Sequence, residues 1–179
     1  MKLFHFTSAH HINGIGRFGL TVGDVPTDLD RGTGRCGVWF TTAESPHGHG
    51  LQGSSVDKKR YRLSVEIPEG DAKLFRWSDW SATHATADTV QRLAVGDGAG
   101  ADTWFVYFGV VGPEQIGECV DTTTGEEVEN WAAILPASGE PSPGVPPWRR
   151  DAWHKALLKR TSKWIQQRQT GRTVYLPRR

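Results

Sequence analysis

A chain of 179 residues falls within the usual span of one domain, and its eight Trp and seven Phe supply enough large apolar surface for one hydrophobic core, which excludes disorder throughout. No stretch reaches the roughly 20 apolar residues of a membrane-spanning helix, and the opening MKLFHFTSAHH has neither the apolar run nor the small-residue site of a secretory signal, so the expectation is a soluble, cytoplasmic protein. Net charge is only +1, yet residues 146–179 hold ten Lys/Arg against the single acid Asp151, while the rest of the chain holds eleven against nineteen acids; a basic end of this kind seeks phosphates or an acidic surface.

In chain order, Lys2 to Thr7 is aromatic and branched and reads as a strand. Ser8 can cap a helix over Ala9 to Phe18, where Ile12, Ile15 and Phe18 recur every three residues and Gly19 follows at the position where a helix end favours left-handed backbone. Residues 21–37 are polar and glycine-rich and read as a long, functional or mobile loop. A buried strand over Val38 to Thr42 comes next, then a second glycine-rich loop over Ser45 to Ser55, then an alternating, half-buried strand over Arg60 to Ile67 that ends at Pro68.

Ala87 to Val95 can form a short helix, broken by the glycines that follow. Trp104 to Val111 is the most hydrophobic run and reads as a central strand; Pro113-Glu114-Gln115 turns it into a neighbouring strand at Ile116 to Val120, and Thr124-Gly125 reads as a hairpin tip. Residues 136–147 form a Pro/Gly/Ser linker with little capacity to pack. Beyond it, Trp148 to Arg168 is helical, with Trp153, Leu157, Trp164 and Ile165 as its apolar stripe. The class expected is α+β, with a main domain over 1–135, the linker over 136–147 and a basic, Trp-containing segment over 148–179.

Cys36 and Cys119 stand far apart with no CxxC pair, so both read as reduced and structural. No Cys/His set completes a shell around His47-Gly48-His49, so no metal site is expected. In the basic segment, Arg149, Arg150, Lys155, Lys159, Arg160 and Lys163 interleaved with Trp148, Trp153, Trp164 and Tyr175 suit phosphate contact and base stacking on DNA or RNA; docking of the helix on the core by Trp153, Trp164 and Leu157 is the other reading.

His5-Phe6-Thr7, followed by a helix and by Gly19-Leu20, resembles the first motif of the ADP-ribosyltransferase superfamily. The pattern is most similar to the branch of toxins that modify DNA bases (DarT-like), with Val38-Trp39-Phe40-Thr41-Thr42 and Ser45-Pro46 resembling its second strand and Val111-Gly112-Pro113-Glu114-Gln115-Ile116 its strand-to-strand turn. The resemblance spans residues 3 to 121 and leaves the basic tail outside. It implies a split antiparallel β-sheet core with short helices, and NAD as co-substrate.

For individual residues, the resemblance implies that His5 hydrogen-bonds a ribose hydroxyl of NAD, that the backbone of Phe6 holds the nicotinamide amide, and that Thr7 braces the same ribose. Trp39 or Phe40 would stack on the nicotinamide, and strand alternation lets only one of them face the cleft. Cleaving the glycosidic bond of NAD leaves a ribosyl cation that needs a carboxylate. The family's glutamate is missing from Trp104 to Val111, so Asp102 is the nearest substitute, with Glu114 and Glu118 after the strand. Arg35, closer to Val38 than Arg31, is the arginine expected beside the leaving diphosphate.

With nucleic acid as acceptor the chain would be a transferase, and with water an NAD glycohydrolase. An RNA 2′-phosphotransferase shares such a core, and a protein that kept the fold without the carboxylate would bind nucleotides or nucleic acid without turnover. A protein target or an antitoxin covering the cleft are the other partners this resemblance implies.

Overall fold

The computed structural model describes residues 1–49, 51, 56–95, 99–137 and 139–170. Tyr175, which the sequence offers for base stacking, and the arginines at 172, 178 and 179 of the basic end lie outside the described residues, as do the first glycines after the Ala87 to Val95 helix and much of the Ser45 to Ser55 loop.

The chain is a mixed α+β protein built on one antiparallel sheet of six strands. The strands are β1 (Lys2–Thr7), β4 (Val38–Thr41), β5 (Tyr61–Glu66), β6 (Leu74–Arg76), β7 (Trp104–Tyr107) and β8 (Ile116–Asp121), in the spatial order β6-β7-β4-β1-β5-β8. A separate hairpin joins β2 (Asp24–Asp28) to β3 (Thr33–Cys36). Helices α1 (Ala9–Phe18), α2 (Trp77–His84), α3 (Ala87–Val95) and α4 (Arg150–Thr170) complete the fold.

The length suggests one core, and the sheet divides it in two. One cluster gathers Leu3, Ile12, Ile15, Val38, Phe40, Leu63, Val65, Phe105 and Cys119 under α1; the other gathers Val25, Trp77, Trp80, Trp104 and Val106, with Trp39 against it. Strand alternation produces the division, because Phe105 and Tyr107 of β7 enter the first cluster while Trp104 and Val106 enter the second.

Several elements differ from the sequence reading. Residues 21–37 are not an open loop: Asp24, Pro26 and Gly34 are poor strand formers, yet two strands pair there, closed by an Asx turn in which Asp28 Oδ1 accepts from the backbone N–H of Asp30 and Arg31 at 3.0 Å each. The region 68–86 carries β6 and α2, which bring Trp77 and Trp80 into the second cluster. β7 ends at Tyr107 instead of running to Val111, because Gly109 packs on the Tyr107 ring and Val111 pairs separately with Leu20.

The stretch read as a linker docks on α1. Ser142 N–H donates to the His10 carbonyl at 2.7 Å, and the Thr21 hydroxyl donates to the Val145 carbonyl at 2.6 Å. Gly14 makes this approach possible: a Cβ there would stand 2.5 Å from the Gly144 nitrogen. Gly19 takes φ +80° at the end of α1, as its place after Phe18 predicts.

Candidate functional site

The site forms where the sheet splits. β1 and β5 register over all six residues of β1, from Lys2↔Glu66 to Thr7↔Tyr61, whereas β1 and β4 register only at Phe4↔Thr41. Past that pair the His5 ring crosses the gap, and its Nδ1–H donates to the Trp39 carbonyl at 2.9 Å. A cavity of about 650 Å³ opens there. It is bordered by residues from both faces of β1, His5 and Thr7 on one and Phe4 and Phe6 on the other, because it lies in the gap itself.

The same geometry answers the question of Trp39 and Phe40. Both border the cavity, contrary to the expectation that only one would. Phe40 meets the His5 ring edge-on at 6.0 Å, and Trp39 packs from the opposite face against Trp77 at 4.8 Å and Trp104 at 5.8 Å. Alternation separates them to opposite faces, and the split exposes both.

Electrostatically, the cavity disfavours protonation of His5 and His11. Burial, reinforced by Lys58 and His11, pushes the His5 pKa from 6.5 down to about 4, against the opposing effect of the hydrogen bond to Trp39. Since Nδ1 carries the proton, Nε2 is an acceptor, and it has no partner among the described residues. The Thr7 hydroxyl likewise makes no hydrogen bond among the described residues. His11, also lowered by burial and by His10 and Lys58, pairs Nδ1 with the Ser8 hydroxyl at 3.0 Å. Ser8 therefore caps α1 through its backbone carbonyl, its side chain being diverted to His11.

Four ionisable residues of the cavity escaped the sequence reading of this site. His49 stacks on Phe6 with ring centroids 5.2 Å apart, and is held by Nε2–H donating to the Ser45 carbonyl and by Nδ1 accepting from Trp104 Nε1–H. Lys58 is the one Lys or Arg among the described lining residues and has no carboxylate partner there. His11 joins them from α1. Asp24 is the one carboxylate: its backbone carbonyl accepts from Trp39 Nε1–H at 2.7 Å, and its Oδ1 accepts from His154 Nε2–H at 3.0 Å.

His5, Phe6, Thr7, Trp39 and Phe40 are thus brought together, and Asp102 and Arg35 are not. Asp102 is exposed on a single-turn helix, Ala99–Thr103, outside the cavity lining. Glu114 is exposed, and Glu118 pairs with Lys2 at 3.0 Å. Arg35 sits in a second, shallow pocket of about 290 Å³ with Cys36, Phe108, Arg150, His154 and Lys155, its guanidinium 4.2 Å from the Phe108 ring centre. Arg31 is exposed beside Asp28.

Helix α4 is both docked and charged. Trp153, His154, Leu157, Leu158, Thr161 and Ile165 face inward at helical spacing, and Trp153 and Leu157 wall the His5 cavity. Arg149, Lys155, Lys159, Arg160 and Lys163 are exposed, as is Trp164 at 51%, which leaves it out of the docked stripe where the sequence reading put it. Arg150 turns inward, Nη2 donating to the Cys36 carbonyl at 3.3 Å.

Among the described residues no group of three or more His, Cys, Asp or Glu is arranged to hold a metal ion, and no helix is long and apolar enough to cross a membrane. Comparison with protein-family models, with curated proteins and with solved structures gave no match.

Proposed function

We propose that this chain is an NAD-dependent ADP-ribosyltransferase that holds the dinucleotide in the cavity at the β1–β4 split and transfers ADP-ribose to a nucleic acid. The observation that carries this reading is the neutral, pinned imidazole of His5 beside the unpartnered hydroxyl of Thr7. Their cavity, about 650 Å³, falls within the roughly 300–1,000 Å³ of small-molecule sites. An antiparallel sheet that parts at the His5 strand is in keeping with the fold the His5-Phe6-Thr7 resemblance implies.

In this reading His5 Nε2 accepts from a ribose hydroxyl of the nicotinamide half, Thr7 braces the same ribose, and the Phe6 backbone holds the carboxamide. Trp39 and Phe40 flank the nicotinamide ring. Lys58 faces the diphosphate, the part given to Arg35 on sequence grounds, and Asp24 replaces Asp102 as the carboxylate.

The bond from ribose C1′ to the nicotinamide nitrogen breaks, and its electron pair neutralises the pyridinium as nicotinamide departs. The oxocarbenium ion left behind is stabilised by the Asp24 carboxylate until an acceptor atom bonds to C1′ and gives up its proton. Nucleic acid is favoured as acceptor because α4 walls the cavity with Trp153 and Leu157 while presenting Lys155, Lys159, Arg160 and Lys163 to solvent.

The test is a transfer assay with NAD labelled in its adenylate half, offered single-stranded DNA, RNA and protein in turn. Label on DNA or RNA is the expected result. Labelled free ADP-ribose alone would make water the acceptor and the chain an NAD glycohydrolase. Absence of nicotinamide release in every arm would overturn the enzymatic reading and leave a nucleotide-binding protein.

A further inference from the structure

The shallow pocket beside α4 gathers more positive than negative charge among the described residues. Arg35 reaches it from β3, and Arg150, His154 and Lys155 from successive turns of α4. Neither arginine nor Lys155 forms an ion pair with a carboxylate among the described residues. The one acid in the pocket lining is Asp151, exposed on its rim, while Asp24 pairs with His154 from outside the lining. Two guanidiniums and an ammonium that line one pocket with Asp151 as its one acid raise one another's electrostatic energy, and an anion between them would lower it.

The donors are arranged for such an anion. Arg35 lies against Phe108, 4.2 Å from the ring centre, and 5.9 Å from that of Trp80, and its N–H groups make no hydrogen bond among the described residues. Arg150 commits Nη2 to the Cys36 carbonyl, and its Nε is buried with no hydrogen-bond partner among the described residues. The pocket, about 290 Å³, suits one tetrahedral group and not a dinucleotide.

We infer that Arg35, Arg150 and Lys155 form a phosphate-binding site, separate from the His5 cavity and not dependent on NAD binding there, though it shares Lys155 with the nucleic-acid face of the proposed function. The phosphate can come from a free anion or from the backbone of a strand, and both are recognised by the same forked guanidinium contacts.

The site is tested on the full chain without NAD, so that it stands or falls apart from the dinucleotide reading. Amide and arginine side-chain NMR signals are followed during titration with inorganic phosphate and, separately, with a short oligothymidylate lacking terminal phosphates. Saturable shifts centred on Arg35, Phe108 and Lys155 are expected, with affinity at least tenfold weaker in the Arg35→Gln/Lys155→Gln variant. Both residues are exposed, so this variant keeps the fold, which a thermal melt checks.

Tighter binding of the oligonucleotide, with a salt slope about 0.7 smaller in the variant, assigns the site to a strand phosphodiester. Saturation by inorganic phosphate alone assigns it to a free anion. Shifts that fail to saturate, or an affinity unchanged in the variant, would overturn the site.

Discussion

His5 and Trp39, 34 positions apart, are joined by a single hydrogen bond from imidazole Nδ1–H to a backbone carbonyl at 2.9 Å. This bond spans the gap where β4 leaves β1, and it fixes the tautomer that turns Nε2 into an acceptor. Trp39 passes the connection on, since its indole N–H holds the Asp24 carbonyl and Asp24 Oδ1 meets His154. Strand, hairpin and C-terminal helix are tied to one another through this chain of contacts.

The pinned imidazole has a pH signature. The His5 pKa is depressed in the folded state to about 4 from an unfolded value near 6.5, so the unfolded chain binds more protons between these values. Its contribution to stability is complete above pH 6.5 and is lost as pH falls toward 4, with His11 acting in the same direction. A His5 C2–H NMR signal titrating near pH 4 is expected, as is a shallower loss of stability over that window in His5→Gln. A midpoint near 6.5 would contradict the buried, neutral ring.

Asp24→Asn keeps the size of the side chain and an oxygen to accept from His154 while removing the charge. Turnover of NAD should fall about a hundredfold or more, with NAD affinity changed little. Asp102→Asn should leave turnover intact, since Asp102 is exposed and outside the cavity. Steady-state kinetics of the two variants decide between these carboxylates, and a loss confined to Asp102→Asn would restore the sequence-based choice.

Gly14→Ala improves helix propensity by about 1 kcal/mol but drives a methyl into the Gly144 backbone, 2.5 Å away. Backbone cannot yield as a flexible side chain does, so overpacking of about 1–3 kcal/mol should prevail. A Tm lowered by about 2–4 °C is expected for each kcal/mol of net loss. A raised Tm would mean that residues 142–145 do not pack on α1.

The two cysteines should differ in reactivity. Cys119 is fully buried, and burial with help from Asp121 and Glu127 pushes its thiol up to about 12, whereas Cys36 is half-buried in the Arg35 pocket. A disulfide reagent should label one thiol in the native protein and both after denaturation. Two thiols labelled in the native state would refute the packing of β8.

Strands β1, β4, β5, β7 and β8 were legible in the sequence, although β7 takes only the first half of the run read as a strand. The β2–β3 hairpin was not, because Asp24, Pro26 and Gly34 argue against strands, and an Asx turn with packing against α4 overrides them. His5, Phe6, Thr7, Trp39 and Phe40, which line one cavity, could be grouped from the sequence because they lie within two short motifs. Asp24, Lys58, His11 and His49 were not grouped with them, since only the fold brings a hairpin, a loop and a helix to the end of β1. Asp24 and Arg35 stand eleven positions apart on paired strands, and nothing in local spacing tells which reaches the cavity. Helical spacing admits both Trp164 and Ile165 after Leu157, and only the fold separates them: Ile165 meets Gly32 of the β2–β3 turn while Trp164 stays exposed.

The central claim, that the His5 cavity receives a nicotinamide dinucleotide, is tested most directly by calorimetric titration of the full chain with NAD, before and after His5→Ala. One saturable site is expected, weakened at least tenfold in His5→Ala with the thermal melt still cooperative. Undetectable binding to the wild-type chain, or equal affinity in a folded His5→Ala variant, would contradict it.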